Sequence, residues 1–166
     1  MNEFPDLRIP IGDSVEKFID FLAINFESLF DFIFIISSGL IKGLAAGLIA
    51  IPWWLFIILI LLLGWYFTNI YGGLLFSMFM FLIGSFDLWT ETMTTVSIVL
   101  ISVILSLVIG IPLGIWMAFS KTMSITMRPI LDAMQTMPSF VYLIPVIFFF
   151  PLGNVPAVIA TIVYAL

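Results

Sequence analysis

The segment MRPILDAMQTMPSFVYLIPVIFFFPLGNVP, residues 127–156, is apolar enough to lie in a lipid bilayer and yet is repeatedly interrupted. The interruptions are Asp132, Gln135, Pro138, Pro145, Pro151 and Pro156. Each proline removes a backbone N–H donor and crowds the carbonyl four residues earlier, and hydrocarbon offers no water to bond that carbonyl. We therefore expect this segment to be surrounded by protein, along a path through the membrane or within a moving part.

Composition predicts an all-α integral membrane protein. The chain is 63% hydrophobic and only 9% charged, with a mean hydropathy of +1.31, whereas about a quarter of the residues of a soluble protein are charged. Apolar runs such as 53–67 and 94–119 have helical length, and the strict alternation of a membrane barrel is absent. The chain contains no His and no Cys, which excludes imidazole and thiolate metal sites, and we predict neither a metal nor a cofactor.

Negative charge is concentrated in the first 31 residues. This region contains seven carboxylates and only two basic residues, Arg8 and Lys17, so it carries the whole net charge of −5. No basic patch is present that would bind nucleic acid. The acidic N-terminus also lacks the basic region with which a secretory signal begins.

Residues 1–50 are predicted to form an acidic, amphipathic N-terminal region. Residues 1–12 read as a loose lead, and a helix is expected from Asp13 to Phe34 with its acidic residues on one side. This pattern favours a helix that lies in the membrane interface. A helix packed on a neighbouring domain is the alternative.

Residues 51–86 are predicted to hold the N-terminal transmembrane helices, with spans at 51–70 and 74–86. Just before them, the glycines from Gly39 to Gly47 recur every four residues and would permit close helix approach. Lys42 lies within this stretch and argues against a clean span there.

Residues 87–166 are predicted to begin the core domain of the protein. The longest span is expected at 94–119, after the acidic loop 87–91. Lys121 and Arg128 bracket the most positive connection, which is predicted to be cytoplasmic, with the N-terminus outside. In total we expect about four to five transmembrane helices after the amphipathic one.

Candidate residues for a path through the membrane lie in the interrupted segment. Asp132 is more simply a favourable acid at a helix N-terminus or a partner of Arg128, and Gln135 a buried amide bonded to another helix. The aromatic and methionine side chains are alternatively core or lipid-facing, although aromatic faces attract quaternary cations. The candidates are Met134, Gln135, Met137, Pro138, Phe140 and Tyr142.

Two stretches resemble a known family: TVSIVLISVILSLVIGIPLGIWMAFSK at 95–121 and RPILDAMQTMPSFVYLIPVIFFFPLGNVPAVIATIVYAL at 128–166. Together with IPIGDSVEKFIDFL at 9–22, they resemble the permease subunit of ABC importers for glycine betaine, proline betaine, carnitine and choline. The run ILDAMQTMPSFVYLIP is the most distinctive part of this resemblance.

The resemblance implies a type I ABC importer permease in a bacterial plasma membrane. Such a permease works as a homodimer with a separate ATP-binding cassette subunit, and a solute-binding protein or domain delivers the solute. It is not itself an enzyme, in keeping with the missing phosphate-binding loop in this sequence. The family continues with a cytoplasmic EAA-type coupling loop that is absent here, so we expect a C-terminally truncated member.

Other functions remain open at this point. The chain would alternatively be a permease remnant, or a membrane scaffold or assembly protein that binds partners through its acidic helix and glycine face. A small pore is the weakest alternative, because few polar residues are available to line it. They are Ser97, Ser102 and Ser106.

Overall fold

The computed structural model of the chain describes residues 11–166, and its side chains from residue 15 onward except that of Ser139. All regular structure in this range is α-helical, which confirms the predicted class. The predicted lead at 1–12 lies outside the described residues except for its last two positions. The helices are α1 (Ile11–Asn25), α2 (Glu27–Ala50), α3 (Trp53–Phe67), α4 (Ile70–Ser85), α5 (Trp89–Phe119), α6 (Lys121–Thr136), α7 (Ser139–Phe149) and α8 (Asn154–Ala165).

The amphipathic helix predicted over Asp13–Phe34 is divided between α1 and α2. Phe26 separates them, with φ −114° and ψ 15°. α2 then continues through Lys42 for a total of 24 residues, and it is long and apolar enough to cross a membrane. The expectation that Lys42 argues against a span here is therefore wrong. One exposed lysine leaves the helical backbone intact, and its apolar stem allows the charge to reach toward the interface.

α3 and α4 form an antiparallel hairpin around the two-residue turn Thr68–Asn69. The Asn69 side chain caps α4 by accepting the Gly72 N–H at 2.8 Å. Gly64 and Gly73 lie against each other, because a Cβ atom on Gly64 would be 2.6 Å from the Gly73 Cα. The hairpin therefore closes only if both positions lack a side chain.

Helix lengths bear on the predicted number of spans. α3 and α4 contain 15 and 16 residues, and at about 1.5 Å per residue they are shorter than the hydrocarbon core of about 30 Å. Within residues 11–166, α2 and α5 are long and apolar enough to cross, and α6 with α7 would make a third, bent span. Two or three helices of residues 11–166 are thus of crossing length, and α3, α4 and α8 are shorter apolar helices. Thr68 and Asn69 end α3 inside the span predicted at 51–70, and the span predicted at 74–86 was itself short.

α6 begins earlier than predicted. Ser120 is its N-cap, and the Ser120 Oγ accepts the Met123 N–H at 3.2 Å. Lys121 and Arg128 consequently lie on α6, and the loop expected between them is helical. The polar side chains of this stretch suggested a loop, but a serine before a polar run is also a common helix start.

The core of the described residues lies where α2, α5 and α8 meet. Phe30 of α2 stacks on Phe149 with ring centroids 4.7 Å apart, and it meets Phe150 edge-on at 5.6 Å. These contacts attach the end of α7 to α2. The buried cluster consists of Ile41, Ile101, Phe150, Val155 and Val158.

Candidate functional site

The interrupted segment bends sharply between α6 and α7. The single span expected from Ile130 is instead two helices whose axes differ by 101°. Met137 and Pro138 join them in extended conformation, with ψ 140° at both residues. A proline disfavours the helical conformation of the residue before it, so Pro138 is the local cause of the break. Pro145 lies inside α7 and does not end it.

The Tyr142 hydroxyl connects α7 back to the end of α6. It donates to the carbonyl oxygen of Met134 and, at 3.2 Å, to that of Ala133. The Thr136 hydroxyl also donates to the Ala133 carbonyl, at 3.1 Å. The last carbonyls of a helix have no partner within it. The Ala133 carbonyl also accepts the Met137 N–H, at 3.1 Å. It is therefore at the Met134 carbonyl that the Tyr142 hydroxyl bonds a group that hydrocarbon would leave unsatisfied.

The six residues predicted to line a path gather at this bend but differ in exposure. Met134 and Tyr142 are half-buried. Phe140 lines an open cavity of about 380 Å³ between α7 and α8, together with Tyr164. Among the six, the bend brings the Tyr142 hydroxyl to the Met134 carbonyl, and the role of all six in a path stays a prediction. The exposed members are Gln135, Met137, Pro138 and Phe140.

Asp132 and Gln135 do not occupy the structural positions predicted for them. α6 begins at Lys121, so Asp132 lies in its second half, where the helix dipole disfavours a negative charge. Gln135 is exposed, so its amide is not buried between two helices of residues 11–166. The N-terminal position predicted for Asp132 was wrong because the helix does not start near Arg128. The pairing of Asp132 with Arg128 and a bond from Gln135 to another helix stay predictions.

Known proteins resemble this chain along nearly its whole length. It is 39% identical over 160 residues to the glycine betaine transport system permease protein OpuAB of Bacillus subtilis, covering 96% of this chain and 56% of that protein. It is 40% identical over 163 residues to the glycine betaine/carnitine transport permease protein GbuB of Listeria monocytogenes, covering 95% and 57%. The chain is thus similar over nearly its whole length to permeases named for glycine betaine. It is also 34% identical over 166 residues to the glycine betaine/proline betaine permease protein ProW of Escherichia coli, covering 100% and 47%.

The resemblance read from the sequence is thereby confirmed, and the chain spans about half the length of the glycine betaine permeases it matches. No protein-family model matches it. Its relatives are named as permease proteins and not as enzymes. Within residues 11–166, α2 and α5 are long and apolar enough to cross a membrane.

The glycine face on α2 is open within the described residues. A Cβ atom on Gly39, Gly43 or Gly47 would meet nothing within 4 Å. α2 packs through its other side, where Ser37, Ile41 and Ala45 are buried. Close packing on the glycine face is therefore not made by residues 11–166.

The serine hydroxyls considered for a pore lie inside the described part of the chain. Ser97 and Ser102 are fully buried, and their hydroxyls donate to the carbonyls of Met93 and Ile98 on their own helix, at 2.7 and 2.8 Å. The Ser106 hydroxyl is buried without a partner among the described residues. These side chains do not line an open aqueous path in the described part of the chain.

Two cavities in the structure were not predicted from the sequence. An apolar cavity of about 490 Å³ lies between the α3–α4 hairpin, the end of α2 and the start of α5. Its lining includes Trp53, Phe81 and Trp89. A smaller one of about 170 Å³ places Lys42 near Asn154, at the start of α8. Neither cavity is visible before the helices are assembled, because each is lined by residues of more than one helix.

Proposed function

We propose that this chain contributes the translocation path of an ATP-driven importer for quaternary-ammonium compatible solutes of the glycine betaine class. The observation that carries this proposal is the 34–40% identity to three glycine betaine permeases over 95–100% of the chain. The break at Met137–Pro138 supports it, because many transporters bind their solute where membrane helices are discontinuous.

The proposed importer divides its tasks among several subunits. The sequence has no phosphate-binding loop, so we assign ATP hydrolysis to a separate ATP-binding cassette subunit. We assign solute capture to a binding protein or domain, and the path to two copies of the permease. A permease with these partners would sit in the plasma membrane of a bacterium, the kind of organism in which its relatives occur.

The proposed solute suits the side chains at the bend. A quaternary ammonium group has no N–H donor, and it is attracted to aromatic faces when water is excluded. Phe140 and Tyr142 offer such faces, and the thioethers of Met134 and Met137 adapt their shape to a passing group. We propose that these four residues, with Gln135 and Pro138, contact the solute during its passage.

We propose that the N-terminal half of α6 lies toward the cytoplasm. Because α2 and α5 are each of crossing length and the α3–α4 hairpin returns to its starting side, the start of α2 then also lies toward the cytoplasm, and not outside as the sequence predicted. Lys121 and Arg128 both lie on α6, and positive charge near a membrane-helix end favours the cytoplasmic side. Asp87 and Glu91 then lie at the external end of α5. In this orientation a solute meets the bend after entering from outside.

The test is solute-dependent ATP hydrolysis by the full-length permease carrying this sequence, assembled with its ATPase and binding protein in proteoliposomes. Glycine betaine is expected to stimulate hydrolysis severalfold, and glycine, which lacks the quaternary ammonium group, is not. Omission of the permease is the control and should abolish the stimulation. Equal stimulation by both solutes, or none by either, would contradict the proposal.

A further inference from the structure

One carbonyl at the α6–α7 bend is deprived of its helical partner by the sequence itself. In a continuous α-helix the carbonyl of residue i accepts from the N–H of residue i+4. For Ala133 that donor is Met137, whose N–H bonds the Ala133 carbonyl at 3.1 Å. For Met134 the position is Pro138, which has no N–H. The break therefore begins at the Met134 carbonyl.

Tyr142 provides the donor that Pro138 lacks. Its hydroxyl donates to the Met134 carbonyl, with the Ala133 carbonyl as a second acceptor at 3.2 Å. A phenol has one proton, so the two acceptors share it. Tyr142 lies in the first turns of α7, and the bond consequently joins the two helices across the bend.

We propose that Tyr142 is a positioning residue that holds the α6–α7 bend by replacing the N–H missing at Pro138. The bend angle determines where the exposed side chains before and after Pro138 lie relative to one another. If the bond opens, the Met134 carbonyl must find water or another donor, or the helix must change its angle. The importance of this for solute passage rests on the proposed function, whereas the effect on the bend does not.

The proposal separates the hydroxyl of Tyr142 from its ring. Tyr142→Phe keeps the aromatic face and removes only the donor, so packing at the bend is preserved. Pro138→Ala restores an N–H four residues after Met134, which can bond the Met134 carbonyl in a straighter helix. In the Pro138→Ala background the hydroxyl has no missing donor to replace, and its removal should no longer matter.

The experiment measures the distance across the bend in the full-length permease, assembled with its partner subunits. The chain has no Cys, so cysteines at Ile125 on α6 and Phe148 on α7 give a unique spin-label pair within it. Both positions are exposed, at 64% and 58%. Pulsed electron-spin measurements then give the distance distribution in the absence of nucleotide.

Tyr142→Phe is expected to broaden the distribution and shift it toward longer distances, since the helices are no longer held at the bend. Pro138→Ala alone should lengthen the distance, and adding Tyr142→Phe to it should cause no further change. The matched control is Tyr71→Phe, which removes the same oxygen from a 79% exposed tyrosine on α4 and should leave the distribution unchanged.

An unchanged distribution in Tyr142→Phe would overturn the proposal, as would an equal change with and without Pro138→Ala. If Pro138→Ala does not assemble, the comparison of Tyr142→Phe with Tyr71→Phe decides the matter. ATP-driven glycine betaine uptake is measured on the unlabelled wild type in parallel. If the wild type shows no such uptake, the proposed function is contradicted, but the conclusion about the bend is unaffected.

Discussion

At the scale of single residues, the close backbone contact is made by Gly64 and Gly73, which do not belong to a glycine repeat along one helix. The series from Gly39 to Gly47 fits the small-residue pattern of membrane helices, but its face is open within residues 11–166. Gly64 and Gly73 instead lie four residues before and after the turn Thr68–Asn69. The equal spacing of the two glycines from the turn predicts that they meet, but only after the turn has been located, because they lie on different helices.

Replacement of Gly73 by Ala should destabilise the hairpin. A Cβ atom there would lie 2.6 Å from the Leu61 carbonyl oxygen and 2.9 Å from the Trp65 nitrogen, and backbone cannot move aside as a side chain can. Such overpacking typically costs about 1–3 kcal/mol. The measurement is the change in the free energy of unfolding in mixed micelles. The control Gly47→Ala meets open space and should be neutral or slightly stabilising. Equal effects of the two substitutions would show that the close contact is absent.

At the scale of secondary-structure elements, the sequence predicted that the 127–156 segment would be broken, but not which proline would break it. Pro112, Pro129 and Pro145 all lie inside helices, whereas Pro138 ends one. Each proline deprives one carbonyl of its partner, and the outcome depends on the groups nearby. At Pro138 the Tyr142 hydroxyl bonds the deprived carbonyl in the bent arrangement, a contact that sequence spacing alone does not reveal.

Replacing both Pro138 and Pro145 with Ala should uncouple solute from ATP hydrolysis. Restored N–H groups would straighten and stiffen α6 and α7, which the proposed path needs to move against each other. We expect glycine betaine to lose most of its severalfold stimulation of the ATPase in proteoliposomes, with solute-independent hydrolysis retained. Pro112→Ala in α5 is the matched control and should keep full stimulation. Unchanged stimulation and uptake in the double variant would refute a role for the bend.

At the scale of the whole molecule, composition was sufficient for the all-α membrane class, and the 95–121 and 128–166 stretches for the family. The number of spans was not predictable in the same way. Hydropathy continues across Thr68–Asn69 and across Met137–Pro138, because the flanking residues are equally apolar, whereas local backbone geometry ends the helices there. The division of the chain at residues 50 and 86 stays a prediction.

The orientation of the whole molecule is tested by labelling a single cysteine at Thr122, an exposed position in the first turn of α6. An impermeant thiol reagent should leave it unlabelled in intact cells and label it after permeabilisation, because this end of α6 is proposed to be cytoplasmic. A cysteine at Thr90, exposed at the start of α5, should be labelled in intact cells. The reverse pattern would mean that the topology is inverted.

The central claim is that this chain forms part of a path for quaternary-ammonium solutes. Its most direct test is the uptake of radiolabelled glycine betaine into proteoliposomes that contain the full-length permease, its ATPase and its binding protein. We predict uptake that requires hydrolysable ATP and is competed by related betaines but not by glycine. Uptake that is absent with ATP, or equal without it, would contradict the claim.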